Sequence, residues 1–95
     1  MPKGYLIAHI RVQDKAAFEE FKALSGPAIE AHGGKVLVRN PAPDHREGAA
    51  EGLAVVIEFE SLAAAQAFYD SEAYGAARAA RETCAETDLV LAEGL

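Results

Sequence analysis

Hydrophobic and polar positions along the 95-residue chain follow two rhythms, which predict the order strand, helix, strand, strand, helix, strand. Short runs rich in β-branched residues are typical of strands, and they lie at Tyr5–Val12, Lys35–Asn40, Leu53–Phe59 and Asp88–Ala92. Two longer stretches of helical spacing separate the first run from the second and the third from the fourth. This order predicts one α+β domain over residues 1–95, a four-stranded antiparallel sheet with both helices on one face.

Capping residues and glycines predict where the helices begin and end. Asp14 is expected to cap the first helix, which carries an apolar stripe and ends at His32-Gly33-Gly34. Gly26-Pro27 predicts a kink or a restart inside that helix, because proline lacks an N–H group and clashes with the preceding turn. Ser61 is expected to cap the second helix. A second break and cap at Asp70-Ser71 then predicts a further segment from Glu72 to about Arg81.

Composition and charge exclude several classes of function. The net charge of −6 and the pI near 4.9 argue against a nucleic-acid partner, because such binding depends on basic residues that neutralise phosphates. The apolar run near the N-terminus is too short and too polar for a signal peptide or a membrane span. Cys84 is the only cysteine, which excludes an intrachain disulfide. These features predict a cytoplasmic protein.

The first strand separates apolar residues from mixed ones. Side chains alternate across a strand with a period of two, so Leu6, Ala8, Ile10 and Val12 share an apolar face that should lie against the helices. The opposite face carries Tyr5, Ile7, His9 and Arg11. Nothing in the chain remains to cover this second face of the sheet, which we call the uncovered face.

The uncovered face predicts a homodimer. Right-handed crossovers place both helices on one side, and we expect the first and third strands to be central and parallel. The uncovered face should then carry Tyr5, Ile7, His9, Arg11, Lys35, Leu37, Arg39, Ala54, Val56 and Glu58, joined by Leu89 and Leu91 or their alternates. Monomers rarely expose such an apolar patch. Two sheets are therefore expected to pack face to face about a twofold axis, with a cavity between the subunits.

Several segments together resemble the domain of unknown function 1330 family, within the dimeric α+β barrel superfamily. The segments are Gly4-Tyr5-Leu6-Ile7-Ala8-His9, Gly33-Gly34-Lys35-Val36-Leu37-Val38-Arg39, Val55-Val56-Ile57-Glu58-Phe59-Glu60-Ser61, and Ser71-Glu72-Ala73-Tyr74 followed by Arg81. The resemblance covers essentially the whole chain and implies a ferredoxin-like βαββαβ fold that forms a dimeric α+β barrel. The chain departs from the family pattern at Asn40-Pro41, where members of the family usually have glycines. Relatives in the superfamily include cofactor-free monooxygenases, small isomerases and haem-binding enzymes, so the fold alone does not fix the chemistry.

His9 and Arg39 are the candidate catalytic residues. An imidazole on a central strand suits proton transfer near neutral pH, and the alternative for His9 is a hydrogen-bonded place in the dimer interface. The guanidinium of Arg39 could hold a carboxylate or an enolate; the alternative is a bidentate bond to a carboxylate of the partner chain. Glu58 could orient His9. The favoured alternative is a cross-strand pair with Lys35.

The remaining candidates are assigned to ligand binding or to the core. The predicted substrate-binding set is Tyr5, Ile7, Leu37, Glu58 and Arg81. Arg81 either bonds helix-end carbonyls, the favoured alternative, or reaches the mouth of the cavity. Tyr74 is expected to be a core aromatic with its hydroxyl at the rim, and Cys84 a buried, inert thiol. The histidines lack zinc-like spacing, and no phosphate, dinucleotide or hydrolase motif occurs, so no metal or cofactor is expected.

Two functions of different class remain open. The first is a cofactor-independent isomerase or oxygenase that acts on a small organic molecule in the cavity, with His9 as base and Arg39 as anion anchor. The second is a non-catalytic small-molecule-binding or accessory dimer. The long connection 41–52 has the length of a functional or mobile loop, but its sequence does not indicate a role.

Overall fold

The computed structural model describes residues 2–49 and 51–95, so Ala50 in the 41–52 connection lies outside the described residues. The strands are β1 (Gly4–Val12), β2 (Lys35–Asn40), β3 (Leu53–Phe59) and β4 (Ala85–Glu93). The helices are α1 (Lys15–Ala31), α2 (Leu62–Tyr69) and α3 (Glu72–Glu82). The predicted ferredoxin-like α+β fold and the order of its elements are confirmed. The fourth strand is longer at both ends than predicted.

The sheet has the order β2-β3-β1-β4, and its three pairings are all antiparallel. The prediction that the first and third strands run parallel is therefore wrong. The crossover through α1 makes β1 and β2 parallel, and β3 enters between them as the hairpin partner of β2. A strand in that place must run antiparallel to both neighbours.

The predicted helix caps are confirmed; of the kink or restart predicted inside α1, the restart is wrong and the kink stays a prediction. The side chains of Asp14, Ser61 and Ser71 each accept a hydrogen bond from a backbone N–H group in the first turn of their helix. Helix α1 continues through Pro27 to Ala31. A proline clashes with the Cβ of the residue before it when that residue is helical. Gly26 has no Cβ, so this clash is absent and the helix can continue.

Aromatic rings dominate the core between the sheet and the helices. Phe68 lies 5.1 Å from Phe59 and 4.5 Å from Tyr74, measured between ring centroids. Helix α2 packs against the three strands β1, β3 and β4, whereas α1 packs chiefly against α3. The sulfhydryl of Cys84 is buried in the same core, as predicted. Side chains of α1 join the same core, and a space lined by α1, α3 and the strands remains among them.

Strand β2 contains a bulge that changes which side chains face the helices. Lys35 pairs with Glu58 as predicted, but the register shifts by one residue between Val36 and Val38. Beyond the bulge, Arg39 lies opposite Val55, a residue packed against the core. Arg39 therefore belongs to the helix side of the sheet, and the prediction that it lies on the uncovered face is wrong.

The uncovered face otherwise has the predicted character. In register across the sheet it carries Tyr5, Ile7, His9 and Arg11 from β1, Ala54, Val56 and Glu58 from β3, Lys35, Val38 and Asn40 from β2, and Glu86, Asp88, Val90 and Ala92 from β4. Val38 replaces Leu37 in this register because of the bulge. On β4 the residues that alternate with Leu89 and Leu91 lie on this face, because the two leucines pack against the core. Val90 is 57% exposed in the single chain.

Gly4 is a position at which one added methyl group should destabilise the fold. A Cβ at Gly4 would overlap the backbone carbonyl of Ser61, whereas a Cβ at Gly75 in α3 would meet nothing. We expect Gly4→Ala to lower the free energy of unfolding by about 1–3 kcal/mol or more. The control Gly75→Ala should raise it by about 0.5–1 kcal/mol, because alanine is the better helix former. Urea unfolding of both variants measures the difference, and equal stabilities would contradict the close approach.

Candidate anion-binding cavity

A partly open cavity of about 50 Å³ lies between the inner face of the sheet and helices α1 and α3. Its walls are mostly apolar side chains of the core: Leu6, Ala8, Ile10, Phe18, Phe21, Ile29, Leu53, Val55, Ile57 and Leu89. Its polar lining consists of Lys22, Ser25, Arg39, Tyr74 and Arg81. A cavity of this size holds about three or four water molecules. It therefore suits a small polar head group surrounded by hydrocarbon.

Arg81 is the most unusual residue of the cavity. It is only 6% exposed, and its Nη1 donates a hydrogen bond of 2.7 Å to the hydroxyl of Tyr74. Its Nε is sealed from solvent and has no partner among the described residues. No carboxylate of the described residues lies within ion-pair distance of this guanidinium. Burying a charge without a counter-charge costs several kcal/mol, so a fold that keeps one here calls for an explanation.

The spacing of α3 explains how Arg81 comes to be buried. Tyr74, Ala77 and Arg81 follow one another at helical intervals and are the buried residues of this helix. The guanidinium also lies 5.8 Å above the ring of Phe21 in α1, which gives it a cation–π contact on one side. Burial raises the pKa of the Tyr74 hydroxyl, and the neighbouring Arg81 offsets only part of this effect. Tyr74 therefore stays protonated at neutral pH.

A wider groove adjoins the cavity and opens to solvent. The groove has a volume of about 540 Å³ and shares Ile10, Phe18, Lys22, Arg39 and Leu53 with the cavity. Five of the nine basic residues of the chain line the two spaces: Arg11, Lys15, Lys22, Arg39 and Arg81. Of the fifteen acidic residues, which all lie in the described part of the chain, only Glu19 does so, and it pairs with Lys22 at 3.0 Å. Arg11 pairs with Asp88 and Glu86, so Lys15 and Arg39 are the basic residues of the groove that make no ion pair within the described part of the chain.

The structure brings together two of the predicted site residues and separates the others from them. Arg39 and Arg81 line the same cavity. Tyr5, Ile7, His9 and Glu58 lie on the uncovered face, and none of them lines the cavity or the groove. Leu37 lies at the bulge of the edge strand and is 45% exposed. This cavity is thus on the opposite side of the sheet from the one predicted between subunits.

The contacts of Glu58 and His9 correct their predicted partnership. Glu58 accepts a hydrogen bond of 3.0 Å from the hydroxyl of Tyr5, and this bond is the main reason why the pKa of Tyr5 is raised. His9 lies opposite Ala54 and Asp88, four residues along β3 from Glu58. Glu58 therefore cannot orient His9 within one chain. Lys35 is opposite Glu58, as predicted, but no ion pair joins them among the described residues.

The favoured prediction for Arg81 is also wrong, and two polar residues of the cavity were missed. The guanidinium bonds the Tyr74 hydroxyl and not the helix-end carbonyls, and that hydroxyl is buried and not at the rim. Ser25 interrupts the apolar stripe of α1 at a buried position, and Lys22 precedes it by three residues. A polar residue within an apolar stripe is the signal that could have identified this wall of the cavity.

Metal and membrane sites find no support in the described part of the chain. Among residues 2–49 and 51–95, no three histidine, cysteine or acidic side chains cluster as metal ligands would. No helix in the same residues combines the length and the apolar character that crossing a bilayer requires.

Comparison with solved structures identifies the same fold in proteins of distant sequence. A protein of unknown function from Rhodopseudomonas palustris superposes with a TM-score of 0.79 at 18% identity, over 99% of this chain and 83% of the other. SnoaB, a cofactor-independent oxygenase from Streptomyces nogalater, gives a TM-score of 0.65 at 14% identity, over 97% and 92%. A dimeric protein of unknown function with a ferredoxin-like fold from Bacteroides fragilis gives 0.56 at 16% identity, over 96% and 95%.

Comparison by sequence finds no match to this chain among curated proteins. The profile of the family described as Domain of unknown function (DUF1330) matches residues 3–95, which is almost the entire chain. The chain therefore belongs to the DUF1330 family.

Proposed function

We propose that this protein binds a small organic anion in the cavity between α1, α3 and the sheet, with Arg81 as its anchor. The observation that carries the proposal is a buried guanidinium whose only side-chain hydrogen bond among the described residues goes to a neutral hydroxyl. A carboxylate, phenolate or enolate would supply the missing counter-charge. Such charge-assisted bonds are about twice as strong as neutral ones.

The sizes of the two spaces suggest how a ligand would lie. The cavity of about 50 Å³ takes only a small charged head, whereas the adjoining groove of about 540 Å³ takes the larger body. Arg39 lines both spaces and makes no ion pair among the described residues. We assign Arg39 to the mouth, where it holds a second polar group of the ligand or guides the anion inward. Basic clefts raise the local concentration of anions in this way.

For the reaction class we propose a cofactor-independent oxygenase or isomerase. The support is the fold shared with SnoaB, which is described as a cofactor-independent oxygenase; at 14% identity this likeness concerns the fold alone. The alternative is a binding or accessory protein that uses the same cavity without turnover. The role of His9 as a base stays a prediction, and it would apply to a space that a second chain completes on the uncovered face.

We further propose that two chains pair through the uncovered face. Its centre is apolar, with Ile7 of β1 flanked by Val56 of β3 and Val90 of β4. Its charged end is balanced within one chain, because Arg11 lies 3.0 Å from Asp88 and 3.9 Å from Glu86. An apolar centre with a polar rim is typical of protein interfaces, and a relative of the same fold is described as dimeric.

Matched pairs of small molecules test the anion site. We would titrate the protein by calorimetry with acetate, benzoate and 4-hydroxybenzoate, each beside its amide, which keeps the shape and removes the charge. We expect at least one carboxylate to bind about tenfold or more tightly than its amide, since a hydrogen bond to a charged group contributes about 1.5–3 kcal/mol. If no carboxylate binds more tightly than its amide and no phenol binds more tightly as its anion, the anion site is refuted.

The same mixtures of protein and ligand show whether the protein is an enzyme or only binds the ligand. Cofactor-independent oxygenation consumes dissolved oxygen and changes the ligand, whereas binding alone leaves both unchanged. An oxygen electrode and a proton spectrum of the ligand, recorded with and without protein, therefore decide between the two classes for each molecule that binds.

A further inference from the structure

The polar groups of the cavity are unusual in that they are suited to donating hydrogen bonds and not to accepting protons. The polar lining comprises two guanidiniums, an ammonium and two hydroxyls: Arg39, Arg81, Lys22, Ser25 and Tyr74. In the described part of the chain neither a carboxylate nor an imidazole lines this cavity. A general base needs a free lone pair near neutral pH. The cavity therefore offers nothing that would take a proton from a ligand, but several groups that would stabilise an anion.

The Tyr74 hydroxyl is placed to act as one of these donors. It accepts a hydrogen bond of 2.7 Å from Nη1 of Arg81, and its own proton has no acceptor among the described residues. A hydroxyl that accepts a bond from a cation becomes a better donor, because the charge polarises its O–H bond. Because burial keeps Tyr74 protonated, this proton remains available to a ligand.

We infer that the cavity takes a weakly acidic phenol or enol as its anion, with Arg81 and the Tyr74 hydroxyl donating to the oxygen that has lost the proton. In the ionisation step the O–H bond of the ligand breaks and its electron pair stays on oxygen. The proton passes to water through the open groove, and no group is oxidised or reduced. The inference rests on the proposed anion site and adds that the site itself makes the ligand more acidic. An electron-rich phenolate or enolate is then produced without a basic side chain.

A coloured phenol measures this effect directly. 4-Nitrophenol absorbs differently when it ionises, so its ionised fraction can be followed across a pH series in the presence of saturating protein. A neighbouring cation typically shifts the pKa of an acidic group downward by 1–3. We expect the half-ionisation pH of the bound dye to lie below that of the free dye by about one pH unit or more. 4-Nitrotoluene, in which a methyl group of similar size replaces the hydroxyl, cannot ionise and should bind at least about tenfold more weakly at neutral pH.

Two tyrosines that each bond an arginine provide a matched pair of variants. Tyr74 bonds Arg81 inside the cavity, whereas Tyr69 accepts a bond of 3.0 Å from Arg78 and does not line the cavity. We expect Tyr74→Phe to raise the half-ionisation pH of the bound dye towards that of the free dye, and Tyr69→Phe to leave it unchanged. Equal dye ionisation in both variants would refute the role of the Tyr74 hydroxyl.

The outcomes distinguish this inference from the proposed function. If 4-nitrophenol binds but ionises at its ordinary pH, the ionising role is refuted while the carboxylate titrations still support an anion site. If neither the dye nor any carboxylate binds, the anion site fails and the inference fails with it. Binding with a lowered half-ionisation pH in the wild type, partly reversed in Tyr74→Phe, supports both.

Discussion

Replacing Arg81 with methionine is expected to abolish anion binding while leaving the fold intact. Removal of one partner of a buried, hydrogen-bonded charge pair typically costs about 2–5 kcal/mol of binding, so the dissociation constant of the best carboxylate should rise at least about 30-fold. Methionine fills a similar volume without a charge. Because an unpaired buried charge destabilises a core, the free energy of unfolding should stay level or rise.

Arg78 provides the control for this prediction. It lies one turn before Arg81 on α3, bonds the Tyr69 hydroxyl at 3.0 Å, and stacks on the Tyr69 ring at 5.1 Å. It does not line the cavity. We expect Arg78→Met to keep carboxylate binding within about twofold of the wild type, as is usual for a surface substitution. Equal losses in the two variants would show that net charge, and not the cavity, governs binding. Full binding in Arg81→Met would refute the anchor.

Replacing Ile7 with aspartate is expected to convert the proposed dimer into monomers. Ile7 lies at the centre of the uncovered face, between Val56 and Val90. A twofold interface would bury the new carboxylate of each chain, and an unpaired buried charge costs several kcal/mol. The dissociation constant of the dimer should therefore rise at least about 100-fold. The single chain should still fold, because Ile7 does not belong to its buried core.

The control places the same charge on another exposed apolar residue. Leu24 of α1 is 38% exposed and lies on the helix side of the molecule, away from the uncovered face. Sedimentation velocity of both variants across a dilution series should show monomers for Ile7→Asp and dimers for Leu24→Asp. If the wild-type chain is itself monomeric at micromolar concentration, or if Ile7→Asp stays dimeric, pairing through this face is refuted.

The sequence predicts the fold well because several local signals agree. Period-two alternation in β1, the caps Asp14, Ser61 and Ser71, and the glycine turn after His32 all fit one arrangement of elements. Agreement between local preferences and the global fold is what makes a fold readable from its sequence. The crossover rule fixes the side on which the helices lie. The direction of β3 follows only when its place between β1 and β2 is considered as well.

The side of the sheet that Arg39 occupies could not be predicted from alternation. Val36, Leu37 and Val38 are consecutive apolar residues on an exposed edge strand, so no face of this strand is distinguished by polarity. Register is weakly specified in such strands, and bulges are common at sheet edges. One extra residue at the bulge moves Arg39 from the uncovered face to the cavity.

The sequence predicts the burial of Arg81 but not the position of the cavity that it lines. The interval from Tyr74 through Ala77 to Arg81 predicts that the arginine shares the buried face of its helix, which is an unusual place for a charge. The distance between α1 and the sheet, by contrast, depends on the volumes of many core side chains together. No local pattern encodes such a space, so its position on the helix side required the structure.

The most direct test of the anion site is to observe the Arg81 guanidinium while an anion is added. Arginine Nε–H groups give separate signals in a two-dimensional ¹⁵N–¹H spectrum, and Arg81→Met assigns the signal of interest by its loss. During titration with the carboxylate that binds best, we expect the Arg81 signal to shift along a saturable curve, with Arg78 unmoved. A constant Arg81 signal at a carboxylate concentration that saturates binding would contradict the assignment of this buried arginine as the anchor.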